Sequence, residues 1–314
     1  MVVPLSKENP FKSIRQAAKE AVEYIDDRRS GKIKSLRTPW SKWNDACMGG
    51  IEWHTITTVA GMSGSGKTAI INQLETGLKD LNKSEDFAIL SFNWEMLAMK
   101  LVGRKLSNKL RLTTSQLFSG DPKYKVDDNT FRIIQEEAEK LSRYDITYVE
   151  LPGTVDQIVG LIRKFVEIKT KVNPNKGVIV FMDHVLLVNG KDGDLERQIL
   201  FDLMTALNRL KKEYKISFVI LSQLNRAIED KQRILQPELH FPTKGDLFGS
   251  DSMYQFSDLV IVAHRPEILN IFRYGPQGWD TRDVVFLHFI KVREGQPFIG
   301  LMKNNLKYNE IIDG

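Results

Sequence analysis

Cysteine is nearly absent: Cys47 is the only one in 314 residues. That excludes an intrachain disulfide and a zinc cluster, and it fits a reducing cytoplasm. The five histidines are scattered without metal-ligand spacing. Long hydrophobic runs are missing too. The longest uncharged apolar stretches, 177–182 and 259–263, have strand length and fall far short of a membrane span, so no membrane partner is expected. The first eight residues lack the charged-then-apolar order of a secretory signal. No low-complexity tract or internal repeat is present. Neither charge sign is scarce, and a net charge of +5 permits an anionic partner without demanding one. A hydrophobic content of 42% over this length is ample for a buried core of one large domain or two small ones.

Against this background one octapeptide stands out: Gly61, Met62, Ser63, Gly64, Ser65, Gly66, Lys67 and Thr68. It matches the pattern G-x-x-x-x-G-K-[ST], with a β-rich run (56–60) before it and a helical run (69–74) after it. Three glycines let backbone N–H groups close around phosphates, and the new helix presents its positive end to the anion. Lys67 can reach the β- and γ-phosphates and Thr68 can hold Mg²⁺. A Gly/Ser-rich turn is the bland alternative, but the flanking strand and helix argue for a nucleoside triphosphate.

Residues 9–30 read as an amphipathic helix, with Asn9 as cap, Pro10 in the first turn and Gly31 at the end. Phe11, Ile14, Ala18, Ala21 or Val22, and Ile25 form one apolar stripe, which must pack either on its own domain or on a neighbouring subunit. A basic segment, 31–37, follows, so 1–36 is expected to be a linker helix with its linker and 37–314 the main domain. In the main domain strands are expected at 55–60, 87–92, 145–150, 178–182, 217–221, 259–263, 284–292 and 298–302. Helices are expected at 67–81, 97–107, 127–142, 155–171 and 195–214. Alternating strands and helices imply an α/β fold with a mostly parallel central sheet, and the last two strands, lacking a helix between them, imply antiparallel edge strands.

Four polar clusters each end an expected strand, where ligands of open α/β sheets collect. Glu95 follows the second strand, either as a carboxylate that polarises water or as a surface residue starting a helix. Asp183 ends the apolar run 178–182, the usual place for an acid associated with Mg²⁺. Gln223, in Ser222-Gln223-Leu224-Asn225-Arg226, either contacts a γ-phosphate or belongs to a polar turn. Lys291 and Arg293, in Lys291-Val292-Arg293-Glu294-Gly295, are either two solvated bases on an edge strand or include an arginine finger, in their own site or a neighbour's.

In this order the motifs resemble the ATPase domain of DnaB-type replicative helicases, hexameric members of the RecA-like group, over 38–307. Phe92-Asn93-Trp94-Glu95-Met96 is similar to the family's F-S-L-E-M, Ser222 to Arg226 matches S-Q-L-N-R, and Lys291 to Gly295 is similar to K-Q-R-N-G. The resemblance implies a RecA-like P-loop core that uses ATP and Mg²⁺. It implies Lys67 and Glu95 in catalysis, with Glu95 as the base, Asp183 and Thr68 at the metal, Gln223 as γ-phosphate sensor, and Lys291 and Arg293 entering the adjacent subunit's site. It also implies a homo-oligomeric, hexameric ring on single-stranded DNA, joined by the N-terminal helix and served by a primase and a helicase loader.

Two departures qualify the match. The family's DNA-contacting loop carries S-D-L-R-E-S-G, whereas this chain reads Gly245-Asp246-Leu247-Phe248-Gly249-Ser250-Asp251. Phe248 stands in place of Arg and Gly249 in place of Glu; Phe248 can stack a base and backbone N–H groups can still grip phosphates. The stretch before it, beginning at Arg226, carries Lys231, Arg233 and Lys244 and reads as a partly basic loop; Lys191 is the one base of the other central loop. Second, the family's N-terminal primase-binding domain has no counterpart in these residues, which fits either a shortened chain or a naturally compact, viral one. The leading expectation is an ATP-driven replicative DNA helicase. The alternatives are a RecA-like DNA-dependent or regulatory ATPase that does not unwind DNA, and a nucleotide-gated scaffold.

Overall fold

The alternation of apolar residues within single strands decides the layering. In the computed structural model, which describes residues 11–185, 188–190 and 195–314, strand β4 (Gly177–Asp183) sends Ile179 and Phe181 to one core and Val178, Val180 and Met182 to another. A strand with period two and two apolar faces must be covered on both sides. The parallel strands are β1 (Ile56–Gly61), β2 (Phe87–Asn93), β3 (Ile146–Val149), β4, β5 (Ile216–Gln223) and β6 (Leu259–His264). A short hairpin, β7 (Arg273–Tyr274) and β8 (Trp279–Asp280), stands apart. Then β9 (Val284–Val292), β10 (Phe298–Asn305) and β11 (Glu310–Asp313) add antiparallel strands at one edge. The order across the sheet is β11-β10-β9-β6-β1-β5-β4-β2-β3.

The helices are α1 (Ile14–Arg29), α2 (Ser41–Ala46), α3 (Lys67–Leu81), α4 (Ala98–Leu110), α5 (Thr114–Phe118), α6 (Asp128–Ser142), α7 (Val155–Val172), α8 (Glu196–Glu213), α9 (Lys231–Ile234) and α10 (Ser250–Phe256). On one face α3 packs Ile70, Ile71, Leu74 and Leu78, with Trp40 and Trp43, against the sheet; on the other, α7 and α8 bury Ile158, Ile162, Leu203, Met204 and Leu207. Each such side chain contributes about 1.5–3 kcal/mol on burial.

The eight expected strands and five expected helices all form, and the antiparallel edge is present. β7, β8, β11 and the short helices α2, α5, α9 and α10 are additional. β11 gives little periodic signal over four residues; it is held by tertiary contacts. Trp40 Nε1 and Gln73 Nε2 donate to the Ile311 carbonyl at 2.9 and 3.1 Å, and Gln73 Oε1 accepts from Ile311 N at 2.7 Å.

The N-terminal helix begins at Ile14, later than expected, because Ser13 takes the cap and its hydroxyl accepts from Gln16 N. Asn9 and Pro10 lie outside the described residues. None of α1 is buried: Ile14, Val22 and Ile25 are 86, 66 and 62% exposed. Its own domain therefore does not cover the stripe. No helix among the described residues is long and apolar enough to cross a membrane.

Candidate active site

The strand order β1-β5-β4-β2 places the carboxyl ends of four parallel strands side by side. Residues far apart in sequence meet there: the loop after β1, Gln223 at the end of β5, Asp183 at the end of β4 and Glu95 just past β2. Asn93 is the register partner of Asp183, and the Asp183 carbonyl accepts from Trp94 N at 3.1 Å.

The loop after β1 turns through positive φ at Gly64 (77°) and Gly66 (98°), and Gly66 caps α3. Only glycine adopts such angles cheaply. Gly61 is required for a different reason: a Cβ there would lie 2.3 Å from Ser65 Oγ and 2.6 Å from the Ala263 carbonyl. Lys67 Nζ donates to the carbonyls of Gly61 and Met62 at 2.7 and 2.8 Å. Ser65 Oγ is buried without a hydrogen-bond partner among the described residues. Met62 is buried, Ser63 is exposed at the loop's tip, and Thr68 follows Lys67 in the first turn of α3.

Electrostatics ties these groups together. Burial, reinforced by the Glu95 carboxylate and opposed by Lys67, pushes the Asp183 carboxyl up to about 6. Burial pulls the Lys67 ammonium down to about 8, against the attraction of Asp183 and Glu95. Two carboxylates thus face one desolvated ammonium. A divalent cation relieves the carboxylate excess, and phosphates relieve the ammonium, the buried hydroxyl and the start of α3. The residues present fit a nucleotide with Mg²⁺, with Thr68 and Asp183 as the residues that would hold the metal.

Two residues at this edge carried little sequence signal. His184 is buried, with Nε2 3.3 Å from Gln223 Nε2 and 3.8 Å from Glu95 Oε2. Burial lowers its pKa, which favours the neutral ring. Arg265 follows β6, the other neighbour of β1, and its Nη1 donates to the Gly64 carbonyl at 2.9 Å while Glu267 holds its Nε at 2.9 Å. For each, the only available clue is a polar residue directly after an apolar strand.

Lys291 and Arg293 do not join this cluster. They end β9, which runs antiparallel to β6, so they lie at the amino end of β1. Arg293 Nε is 2.9 Å from Asp258 Oδ1, and Asp258 Oδ2 accepts from Ile56 N at 2.8 Å and from Lys211 Nζ at 2.6 Å. From Ile56 to Gly61 the strand spans roughly 16 Å at about 3.3 Å per residue. Lys291 Nζ donates to the carbonyls of Tyr254 and Gln255 at 2.6 and 3.2 Å.

Residues 224–249 connect directly to the end of β5. The Gln223 carbonyl accepts from Phe248 N at 3.0 Å, Asn225 N donates to the Asp246 carbonyl at 2.7 Å, and Leu224 bridges Leu247. Arg226, Lys231 and Lys244 are exposed. Arg233 is half-buried and engaged internally: it bonds Asp246 at 2.5 and 2.9 Å and the Phe241 carbonyl at 2.7 Å. Phe248 packs against the core beneath α8, and Gly249 turns at φ 61° into α10, with Leu200 Cδ1 2.5 Å from where a Cβ would sit. Lys191 lies outside the described residues.

The family model for the DnaB-like helicase C-terminal domain matches residues 35–297. The chain belongs to this family. Among curated relatives it is similar to the replicative DNA helicase DnaB of Helicobacter pylori (strain ATCC 700392 / 26695), 25% identical over 267 residues, covering 81% of this chain and 49% of that protein. A probable replicative DNA helicase of Guillardia theta is 25% identical over 225 residues, 71% of this chain and 35% of that one. The replicative DNA helicase DnaC of Bacillus subtilis (strain 168) is 22% identical over 308 residues, 96% and 62% of the two chains. The chain therefore spans half or less of the length of the first two.

Among solved structures, one ATPase domain superposes with a TM-score of 0.77 at 17% identity, covering 97% of this chain and 99% of that one. A DnaB-like replicative helicase, solved in a study of its interactions with primase, gives 0.78 at 18% identity, covering 96% and 68%. The fold of this DnaB-like domain is thus a RecA-like ATPase core: a mostly parallel sheet with antiparallel edge strands.

Proposed function

We propose that this domain is an ATP-driven translocase on single-stranded DNA that acts, as a hexameric ring, in replicative DNA unwinding. The observation that carries the reading is the division of the catalytic set between opposite ends of β1. Lys67, Asp183, Glu95 and Gln223 gather at the carboxyl end, while Lys291 and Arg293 lie at the amino end. An arginine on that side serves a phosphate site only by facing another subunit, so the active unit has at least two copies.

In this reading Gly61 to Thr68 hold the phosphates and Lys67 exchanges its contacts with the loop carbonyls for phosphate oxygens. Mg²⁺, held by Thr68 and Asp183, would supply charge neutralisation of the triphosphate. Glu95 orients the attacking water and Gln223 senses the γ-phosphate. Arg293 of the adjacent copy neutralises the developing charge, an effect worth about 10³–10⁵ in rate or roughly 4–7 kcal/mol. The backbone bond between Gln223 and Phe248 links the sensor to residues 224–249, where Arg226, Lys231, Lys244 and Gly249 would face DNA; Lys191 and Phe248 are assigned there from sequence alone, the Phe248 side chain being packed in part against the core. The exposed stripe of α1 docks on the next subunit, which makes residues 1–36 an assembly arm. A primase and a loader complete the expected partners, and the cytoplasm the expected location.

The deciding experiment follows ATP hydrolysis against protein concentration, with and without single-stranded DNA, then unwinding of a forked duplex. Turnover rising with assembly, rising again with DNA, and coupled to unwinding is the expected result. Turnover indifferent to DNA would replace the translocase with a regulatory ATPase.

A further inference from the structure

His184 occupies the gap between the catalytic base and the γ-phosphate sensor of this reading. It is 8% exposed, and its Nδ1 is buried without a hydrogen-bond partner among the described residues. Its Nε2 lies 3.3 Å from Gln223 Nε2, the amide nitrogen, and 3.8 Å from Glu95 Oε2. The Glu95 side chain is 59% exposed and makes no hydrogen bond among the described residues, so no other described side chain aims it. One imidazole nitrogen holds a single hydrogen or a single lone pair and serves one of two partners at a time.

A half-turn of the Gln223 carboxamide, which exchanges its nitrogen and oxygen, lets the Nε2–H tautomer donate to Gln223 Oε1 and leaves a lone pair on buried Nδ1. We propose that His184 is a positioning residue that couples sensor to base. When Gln223 turns its carboxamide towards a γ-phosphate, the same imidazole N–H swings to Glu95 and holds that carboxylate towards the attacking water. Only hydrogen-bond partners are exchanged; no proton changes owner. The inference rests on the proposed roles of Glu95 and Gln223. It assigns the histidine to the chemical step rather than to nucleotide binding, because neither of its contacts reaches the phosphate loop.

The test combines steady-state hydrolysis by the assembled, DNA-bound protein with equilibrium binding of a fluorescent ATP analogue. His184→Ala is expected to lower kcat about 10- to 100-fold, part of the 10²–10⁴ that an aligned general base supplies, with analogue affinity changed less than about twofold. His184→Gln, which keeps an N–H donor of similar reach, should restore most of the rate, and it carries the test if the alanine variant does not fold. In a Glu95→Gln background, His184→Ala should cost less than about twofold more, because no carboxylate is left to orient. Multiplying losses would overturn the coupling, as would weakened analogue binding with kcat intact. Glu95→Gln turning over at the parental rate would remove the base reading and this inference with it. Inactive Glu95→Gln beside fully active His184→Ala removes the inference alone.

Discussion

Arg293 Nε stands 2.9 Å from Asp258 Oδ1 at the amino end of β1, while Lys67 follows the loop at the carboxyl end of the same strand. Asp258 holds the guanidinium, the Lys211 ammonium and the first N–H of β1 together, so the arginine is presented from a rigid base rather than from a free edge. Such preorganisation suits a residue that must meet a charge on another molecule.

Mixing subunits tests this relationship. Lys67→Ala and Arg293→Ala should each reduce hydrolysis by about 10³-fold or more on their own. Mixed before assembly, they should recover a measurable fraction, because an intact phosphate loop on one copy then faces an intact arginine on the next. Absence of recovery in rings shown by native mass spectrometry to contain both variants would refute action between subunits.

Asp258→Ala leaves Lys211 buried without its counter-charge; the two side chains are only 10 and 12% exposed. Breaking one side of a buried pair costs about 3–5 kcal/mol. Denaturant unfolding of Asp258→Ala should show a loss of that order, whereas Asp258→Ala with Lys211→Met should recover much of it. A loss under about 1 kcal/mol in the single variant would show that the pair is solvated in solution.

Lys67 gives a pH signature. Its pKa is lowered from 10.5 to about 8, chiefly by burial, so the folded chain binds fewer protons than the unfolded chain between those values. Stability from this group therefore rises with pH across that window. Triphosphate binding restores a counter-charge and pulls the pKa back up, so binding at about pH 8.5–9 should take up protons and weaken as pH rises above 8. Calorimetry in buffers of different ionisation enthalpy measures the uptake, and Lys67→Met should abolish it. Binding without proton uptake in the parent would contradict the desolvated lysine.

The basic residues of 224–249 should separate into two behaviours. Lys231→Ala and Lys244→Ala remove exposed charges; each should lower the salt dependence of single-stranded DNA binding by about one unit of slope without changing stability. Arg233→Ala should act differently, leaving buried Asp246 without its bidentate partner and lowering the melting temperature. Unchanged salt slopes in both lysine variants would move the DNA contact elsewhere on the domain.

The sequence by itself determined the parts whose physics is local. The loop from Gly61 to Thr68 is readable because φ above zero and close backbone approach demand glycine at fixed spacing, and α3 and β9 are readable because their apolar periods run unbroken over 15 and 9 residues. Glu95, Asp183 and Gln223 are readable because strand ends collect ligands. Tertiary structure alone decided which ends meet. The antiparallel run of β9 sends Arg293 to the amino end of β1, opposite the phosphate loop, a direction that no spacing between Lys67 and Arg293 encodes. Strand order brings His184 between Glu95 and Gln223, although 89 residues separate His184 from Glu95 and 39 separate it from Gln223. Burial then sets the charges: Lys67 and Asp183 take their shifted pKa values from the water they lose on folding, which depends on everything packed around them.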